Sequence, residues 1–240
     1  MAHNPTEVRC IHCLKKLDRK TRTWDHVLPR AWYPDTMCAH MSKWKAPSCQ
    51  RCNKELGDIE AHLFIRLAFL IDPDDPELSS IVKKVKNSLD PRRGRDEKDR
   101  GCRARLRESL RDEFGFTEHI PNSAILPLRR PPLHPGPQLP LDSEKMRKFA
   151  EKVIRGLEYA LFKQYIDSNR NLEIHFCSEH SIPEVEKMFL RDNIKSHYRG
   201  PGFEVLVAST GGKINEAMYK VTVWKQVYFY AVILHYLSDF

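Results

Sequence analysis

The sequence predicts an α+β chain made of a small, cysteine-rich N-terminal unit and a larger, mixed α+β C-terminal unit. Three observations carry this expectation. Residues 1–74 hold five of the seven cysteines and three of the four tryptophans. Residues 142–240 begin with a long amphipathic helical pattern and continue in period-two apolar runs. Between the two units, Pro121–Pro140 contains seven prolines, a composition that favours extended, irregular chain.

The 240 residues suffice for one medium domain or two small ones. The division read from composition is 1–74, then a basic and proline-rich connector at 75–141, then 142–240. No run of 18 apolar residues occurs, so no transmembrane helix and no membrane partner are expected. The first residues, MAHNPTEVRC, lack the apolar core of a signal peptide, and a cytoplasmic setting follows as the default. Thiols stay reduced there, so paired cysteines point to metal rather than to disulfides. Lys and Arg exceed Asp and Glu by 40 to 32, a net charge of +8. That balance suits a polyanionic partner, nucleic acid before membrane, and is equally compatible with a solvated surface.

In chain order, Arg9–Leu14 and Thr23–Leu28 read as extended or hairpin stretches. A helix is predicted from Lys54 to about Ile71, because Leu56, Ile59, Leu63, Leu67 and Leu70 fall at helical spacing. The Asp72–Pro76 run ends it. Ser79–Leu89 reads as a short helix, and Asp96–Phe114 as a highly charged one. Nine basic residues lie between Arg92 and Arg111, a stretch able to track a phosphate backbone or simply to face solvent. Ser143 is a predicted N-cap for a helix to about Ile166, with Met146, Phe149, Val153, Leu157 and Leu161 on one face. Strands are expected at Asn171–Cys177, Phe203–Ala208, Met218–Trp224 and Val227–Leu237, with a short helix near Pro183–Leu190.

Two Cys-x2-Cys pairs, Cys10/Cys13 and Cys49/Cys52, are separated by 35 residues. Each pair presents two thiolates from a tight turn, and two such turns complete a tetrahedral zinc site. A unit of about 70 residues has a marginal core, so a structural Zn2+ worth on the order of 10 kcal/mol makes physical sense there. Cys38, Cys102 and Cys177 have no partner at this spacing and read as structural thiols, and His12 and His40 as bystanders.

Asp25-His26 lies between the two pairs, and Asn53 directly follows the second. The order Cys-x2-Cys, Asp-His, Cys-x2-Cys-Asn resembles the HNH endonuclease family, in its zinc-containing ββα-metal branch. The resemblance spans roughly residues 7–71, under a third of the chain. It implies hydrolysis of phosphodiesters in nucleic acid, DNA first, with His26 as general base. It also implies that the Asp25 carboxylate and the Asn53 side-chain oxygen hold a catalytic Mg2+ or Mn2+. The chemistry needs these types: a neutral imidazole takes a proton from water near pH 7, and hard oxygen ligands suit these cations. The plainer readings are a core histidine for His26, a turn carboxylate for Asp25 and a helix N-cap for Asn53.

Glu60 shares the face of Asn53 two turns on, about 10 Å away, and would reach a metal there only through water or on a distorted helix. His62 reads as surface. Arg30 is a candidate phosphate clamp, while Trp32, Tyr33 and Trp44 read as core or lid. In the C-terminal unit His175, His180 and His197 share no metal spacing with acidic partners. Recognition, dimerisation and regulation all remain open for that unit, as does the oligomeric state, a homodimer included. The alternative to the nuclease is a non-catalytic, zinc-stabilised module that binds nucleic acid. The Asp25/His26/Asn53 set distinguishes the two.

Overall fold

The computed structural model describes residues 7–72, 74–113, 141–176, 193–209, 217–225 and 227–235. The fold is mixed α+β with two antiparallel sheets. The expected helix near Pro183–Leu190, Cys177, His180 and the Pro121–Pro140 stretch lie outside the described residues.

The chain enters through a tight turn over Cys10–Cys13, closed by a bridge between Arg9 and Lys16. Hydrogen bonds Leu14 N to Cys10 O and Cys10 N to Lys15 O, both 2.9 Å, hold this turn, the tight-hairpin form of the stretch expected to be extended or a hairpin. Strand β1 (Arg22–His26) pairs antiparallel with β2 (Lys45–Cys49), so that Asp25 lies opposite Ala46 and His26 opposite Lys45. Helix α1 (Gln50–Ala68) leaves β2 with no intervening loop. It starts four residues before the expected Lys54, because the Cys49 sulfur accepts from Cys52 N and caps it.

Helices α2 (Ser79–Ser88) and α3 (Glu97–Glu113) follow close to their expected bounds. Helix α4 (Ser143–Phe162) is capped by Asp142 rather than Ser143: the Asp142 carboxylate accepts from Lys145 N at 3.0 Å. A carboxylate at that place also faces the positive end of the helix dipole. The α4 chain stops short of Ile166 because Lys163 turns into the left-handed region, φ 58°.

Strands β3 (Arg170–His175), β4 (Asn193–Tyr198), β5 (Phe203–Ser209), β6 (Ala217–Val223) and β7 (Val227–His235) form one sheet in the order β3-β7-β6-β5-β4. Along β6 burial alternates residue by residue, as expected for a sheet with one covered face. The β4–β5 turn uses Gly200 and Gly202 at φ 89° and 83°. A Cβ at Gly202 would stand 2.9 Å from both Trp224 Cδ1 and Leu78 Cδ2, so the turn needs glycine there.

One hydrophobic core runs through both compositional units. Trp32, from the short turn after β1, stacks on Phe149 of α4 with ring centres 4.6 Å apart. Its carbonyl accepts from Trp224 Nε1 at 2.8 Å. Leu63 of α1, Val153 and Leu157 of α4, and Val205, Val221 and Ile233 of the sheet all belong to this cluster. Gly156 of α4 lies directly against Val27, where a Cβ would come within 2.9 Å of Val27 Cγ2. The hairpin and α1 therefore pack on α4, and the site below is assembled across that seam.

Candidate metal centre and the Asp25–His26 site

The Cys10, Cys13, Cys49 and Cys52 sulfurs all lie within 4.8 Å of one another. The entry turn delivers the first two; the end of β2 and the first turn of α1 deliver the others. Crowding makes the thiols interdependent. Burial pushes Cys52 up, and the neighbouring Cys49, Cys10 and Cys13 push it further. Cys10 is pushed up by burial too, but backbone N–H groups of Cys13, Cys49 and His12 bring it down to about 7 overall. Four sulfurs this close are jointly ionised only around a cation, and four tetrahedral thiolates are the donor set that suits zinc. The fold thus supplies a four-cysteine centre able to hold a metal ion. Cys38 and Cys102 stand apart as exposed free thiols.

Asp25 is 8% exposed, facing inward from β1. Its Oδ1 lies 3.2 Å from the Lys152 ammonium of α4, and its Oδ2 lies 3.6 Å from His12 Nε2. Burial pushes the Asp25 carboxyl up, yet His12 and Lys152 outweigh it and leave the group below its ordinary range. His12, expected as a bystander, instead links the metal turn to Asp25; burial holds its own pKa down. Asp25 Oδ2 and His12 Nε2 are both buried without a hydrogen-bond partner. The two atoms face one another, so a hard cation would use this carboxylate oxygen only by displacing His12 from it.

Lys152 is the residue that sequence reasoning missed. It is buried, donates to the His26 carbonyl at 2.7 Å, and forms a close ion pair with Glu60. Its ammonium therefore joins Asp25, Glu60 and the backbone of His26. Glu60 had been expected to approach the site only through water or helix distortion; a lysine bridges the gap instead. Burial raises the Glu60 pKa, and the nearby Lys152 opposes that rise. A signal existed in the sequence: Lys152 follows Phe149 by three residues and precedes Val153, on the apolar side of α4.

His26 is half-buried at the end of β1, and its side chain makes no hydrogen bond among the described residues. Burial, then the charge of Lys45, pushes its pKa below 6.5, so the ring is neutral at pH 7. Asn53 sits in the first turns of α1, half-buried, with no hydrogen bond to Asp25 or His26 among the described residues. It is not the helix cap, since Cys49 is. Beside the metal centre, between α1 and α4, lies a cavity of about 360 Å³ lined in part by His12, Glu55, Lys148, Lys152 and Arg155.

Trp32, Tyr33 and Trp44 are core residues. Arg30 is exposed and lines a second cavity with Lys43 and Lys84. On α3, Arg103 is tied to Asp99 and to the Asn87 carbonyl, while Arg105 and Arg107 are exposed. His197 packs edge-on against Trp44.

Fold and site define an α+β protein with a four-cysteine cluster able to hold a metal ion beside an Asp25–Lys152–Glu60 charge cluster. No protein-family model, no curated protein and no solved structure matches the chain. No helix among the described residues is long and apolar enough to cross a membrane.

Proposed function

We propose that this chain is a metal-dependent endonuclease of the HNH kind acting on nucleic acid, DNA before RNA, with Zn2+ in its four-cysteine centre. One observation carries the reading. Asp25 and His26 end the first strand of a hairpin that runs straight into α1, and the four thiols pin hairpin to helix beside them. This is the strand–strand–helix order expected of a ββα-metal unit.

In this reading His26 takes the proton of the attacking water. Burial lowers its pKa and so favours the neutral imidazole, which makes no hydrogen bond among the described residues and is half-open to solvent, as a general base requires. Lys152 fixes the His26 backbone and the Asp25 carboxylate, so the base cannot drift. Adjacent strand residues point to opposite faces, so the Asp25 carboxylate, with the Asn53 side-chain oxygen, would hold a catalytic ion within reach of His26 only because β1 ends at His26. Bound Mg2+ or Mn2+ would supply neutralisation of the phosphate and of the leaving oxygen. The net charge of +8 favours a polyanionic substrate.

A second reading has its own observation. Lys152 already neutralises Asp25 and Glu60, as it would in a zinc-stabilised module that binds nucleic acid without cutting it.

The test incubates purified protein with plasmid DNA in Mg2+, Mn2+ or EDTA, beside His26→Ala checked for zinc content and folding. Metal-dependent nicking that the variant loses supports the nuclease and its base. Absence of cleavage by the wild type across single-stranded, duplex and branched DNA and RNA moves the assignment to the binding module.

A further inference from the structure

The two faces of the β1–β2 hairpin carry different chemistry. Side chains alternate along a strand, so Thr23 and Asp25 share the inner face, and Arg22, Trp24 and His26 share the outer one. Burial agrees: Asp25 is 8% exposed and Trp24 49%. Across the hairpin, Pro47 lies opposite Trp24 and exposed Lys45 lies opposite His26. The Arg22 guanidinium stands 5.4 Å from the centre of the Trp24 ring.

A single exposed aromatic residue is ordinary on a protein surface. Trp24 differs in what surrounds it. The other three tryptophans, Trp32, Trp44 and Trp224, are all buried in the core. Trp24 instead keeps about half its surface in water, with one cation at its side and a second across the strand pair beside His26. Among the described residues, only the Arg22 guanidinium stands over this indole. Its distance from His26, two residues along the strand, is about 7 Å. A nucleotide next to one whose phosphate lies at His26 is within its reach.

We propose that this outer face binds an unpaired nucleic-acid strand, with Trp24 stacking on a base and Arg22 and Lys45 meeting the neighbouring phosphates. The inference rests on the nucleic-acid reading above and narrows its substrate class. Bases stacked inside a duplex offer no free ring face to an indole, whereas single strands, loops, flaps and junctions do. Stacking accepts any base, so the surface selects for unpairing and not for sequence.

The probe is a short oligothymidylate, titrated into the full chain without added divalent cation, so that binding is read apart from cleavage. Quenching of tryptophan fluorescence is expected, because Trp24 is the exposed indole. A duplex of the same length should bind more weakly and quench little. Trp24→Ala should weaken oligothymidylate binding about 5- to 150-fold and abolish the quench, while Trp24→Phe keeps most of the affinity. Zinc content and circular dichroism of each variant establish that it is folded, and the wild-type quench needs no variant at all. Binding without a quench, an unchanged affinity in folded Trp24→Ala, or equal quenching by duplex each overturns the proposal. A quench with no cleavage in Mg2+ upholds this surface while defeating the nuclease; cleavage with no quench does the reverse.

Discussion

The Lys152 ammonium lies 3.2 Å from Asp25 Oδ1, with both side chains almost wholly withdrawn from water. The same ammonium pairs with Glu60 and donates to the His26 carbonyl, its third oxygen partner. A buried charge left without its partner is expensive, whereas the intact set is close to neutral in its effect on stability.

Lys152→Met keeps the aliphatic stem and removes the charge, leaving the buried Asp25 and half-buried Glu60 carboxylates without their shared cation. It should destabilise the chain by about 3–5 kcal/mol in urea unfolding. Adding Glu60→Gln removes one of the two charges and should recover a substantial part of that loss. Strictly additive costs in the double variant would show that Lys152 and Glu60 are not energetically coupled.

The four-cysteine centre makes its own prediction. Purified protein should carry stoichiometric zinc, and Cys49→Ser should lose it together with the folding of the hairpin. Cys49 has a double part, since its sulfur also caps α1. Cys38→Ser and Cys102→Ser, which change exposed thiols outside the cluster, should leave zinc content and thermal stability unchanged. Zinc retained at full stoichiometry by Cys49→Ser, or lost from Cys38→Ser or Cys102→Ser, would place the metal elsewhere.

What the sequence disclosed follows from how local its signals are. The two Cys-x2-Cys turns and Asp25-His26 are short-range patterns, and the four cysteines do converge. Strands β5, β6 and β7 and helices α2 and α4 were legible because one face of each is apolar at the right period. Strand β2 was not: Lys45-Ala-Pro-Ser-Cys shows no apolar alternation, and its Pro47 argues against a strand. Strand β4 is an edge strand with polar and exposed residues, so its partner β5, and not its own composition, makes it a strand. Lys152 lies 126 residues beyond the His26 carbonyl it holds, and no local pattern encodes a contact of that range.

The shared core predicts one cooperative unfolding transition for the hairpin, α1, α4 and the large sheet. Phe149→Ala removes the ring stacked on Trp32 and should cost about 3–5 kcal/mol. Fluorescence from the buried tryptophans and far-ultraviolet dichroism should then shift to the same lower midpoint. Two separated transitions would mean that the N-terminal and C-terminal parts unfold independently.

Asn53 and Glu60 compete for the same part in the nuclease reading, that of second oxygen ligand beside Asp25. Glu60 is already committed to Lys152, whereas Asn53 has no hydrogen bond to Asp25 or His26 among the described residues. Asn53→Ala should therefore raise the Mg2+ concentration needed for half-maximal cleavage while leaving stability nearly unchanged. Glu60→Gln should do the opposite, shifting stability more than metal dependence. His26→Ala should lower cleavage about 100- to 10,000-fold at every metal concentration, the range for loss of a general base. The three variants thus separate by readout: metal requirement for Asn53, stability for Glu60 and maximal rate for His26. If Glu60→Gln instead carries the metal effect and Asn53→Ala none, the ion sits where the Lys152 ammonium now lies, and the lysine must move before the enzyme can cut.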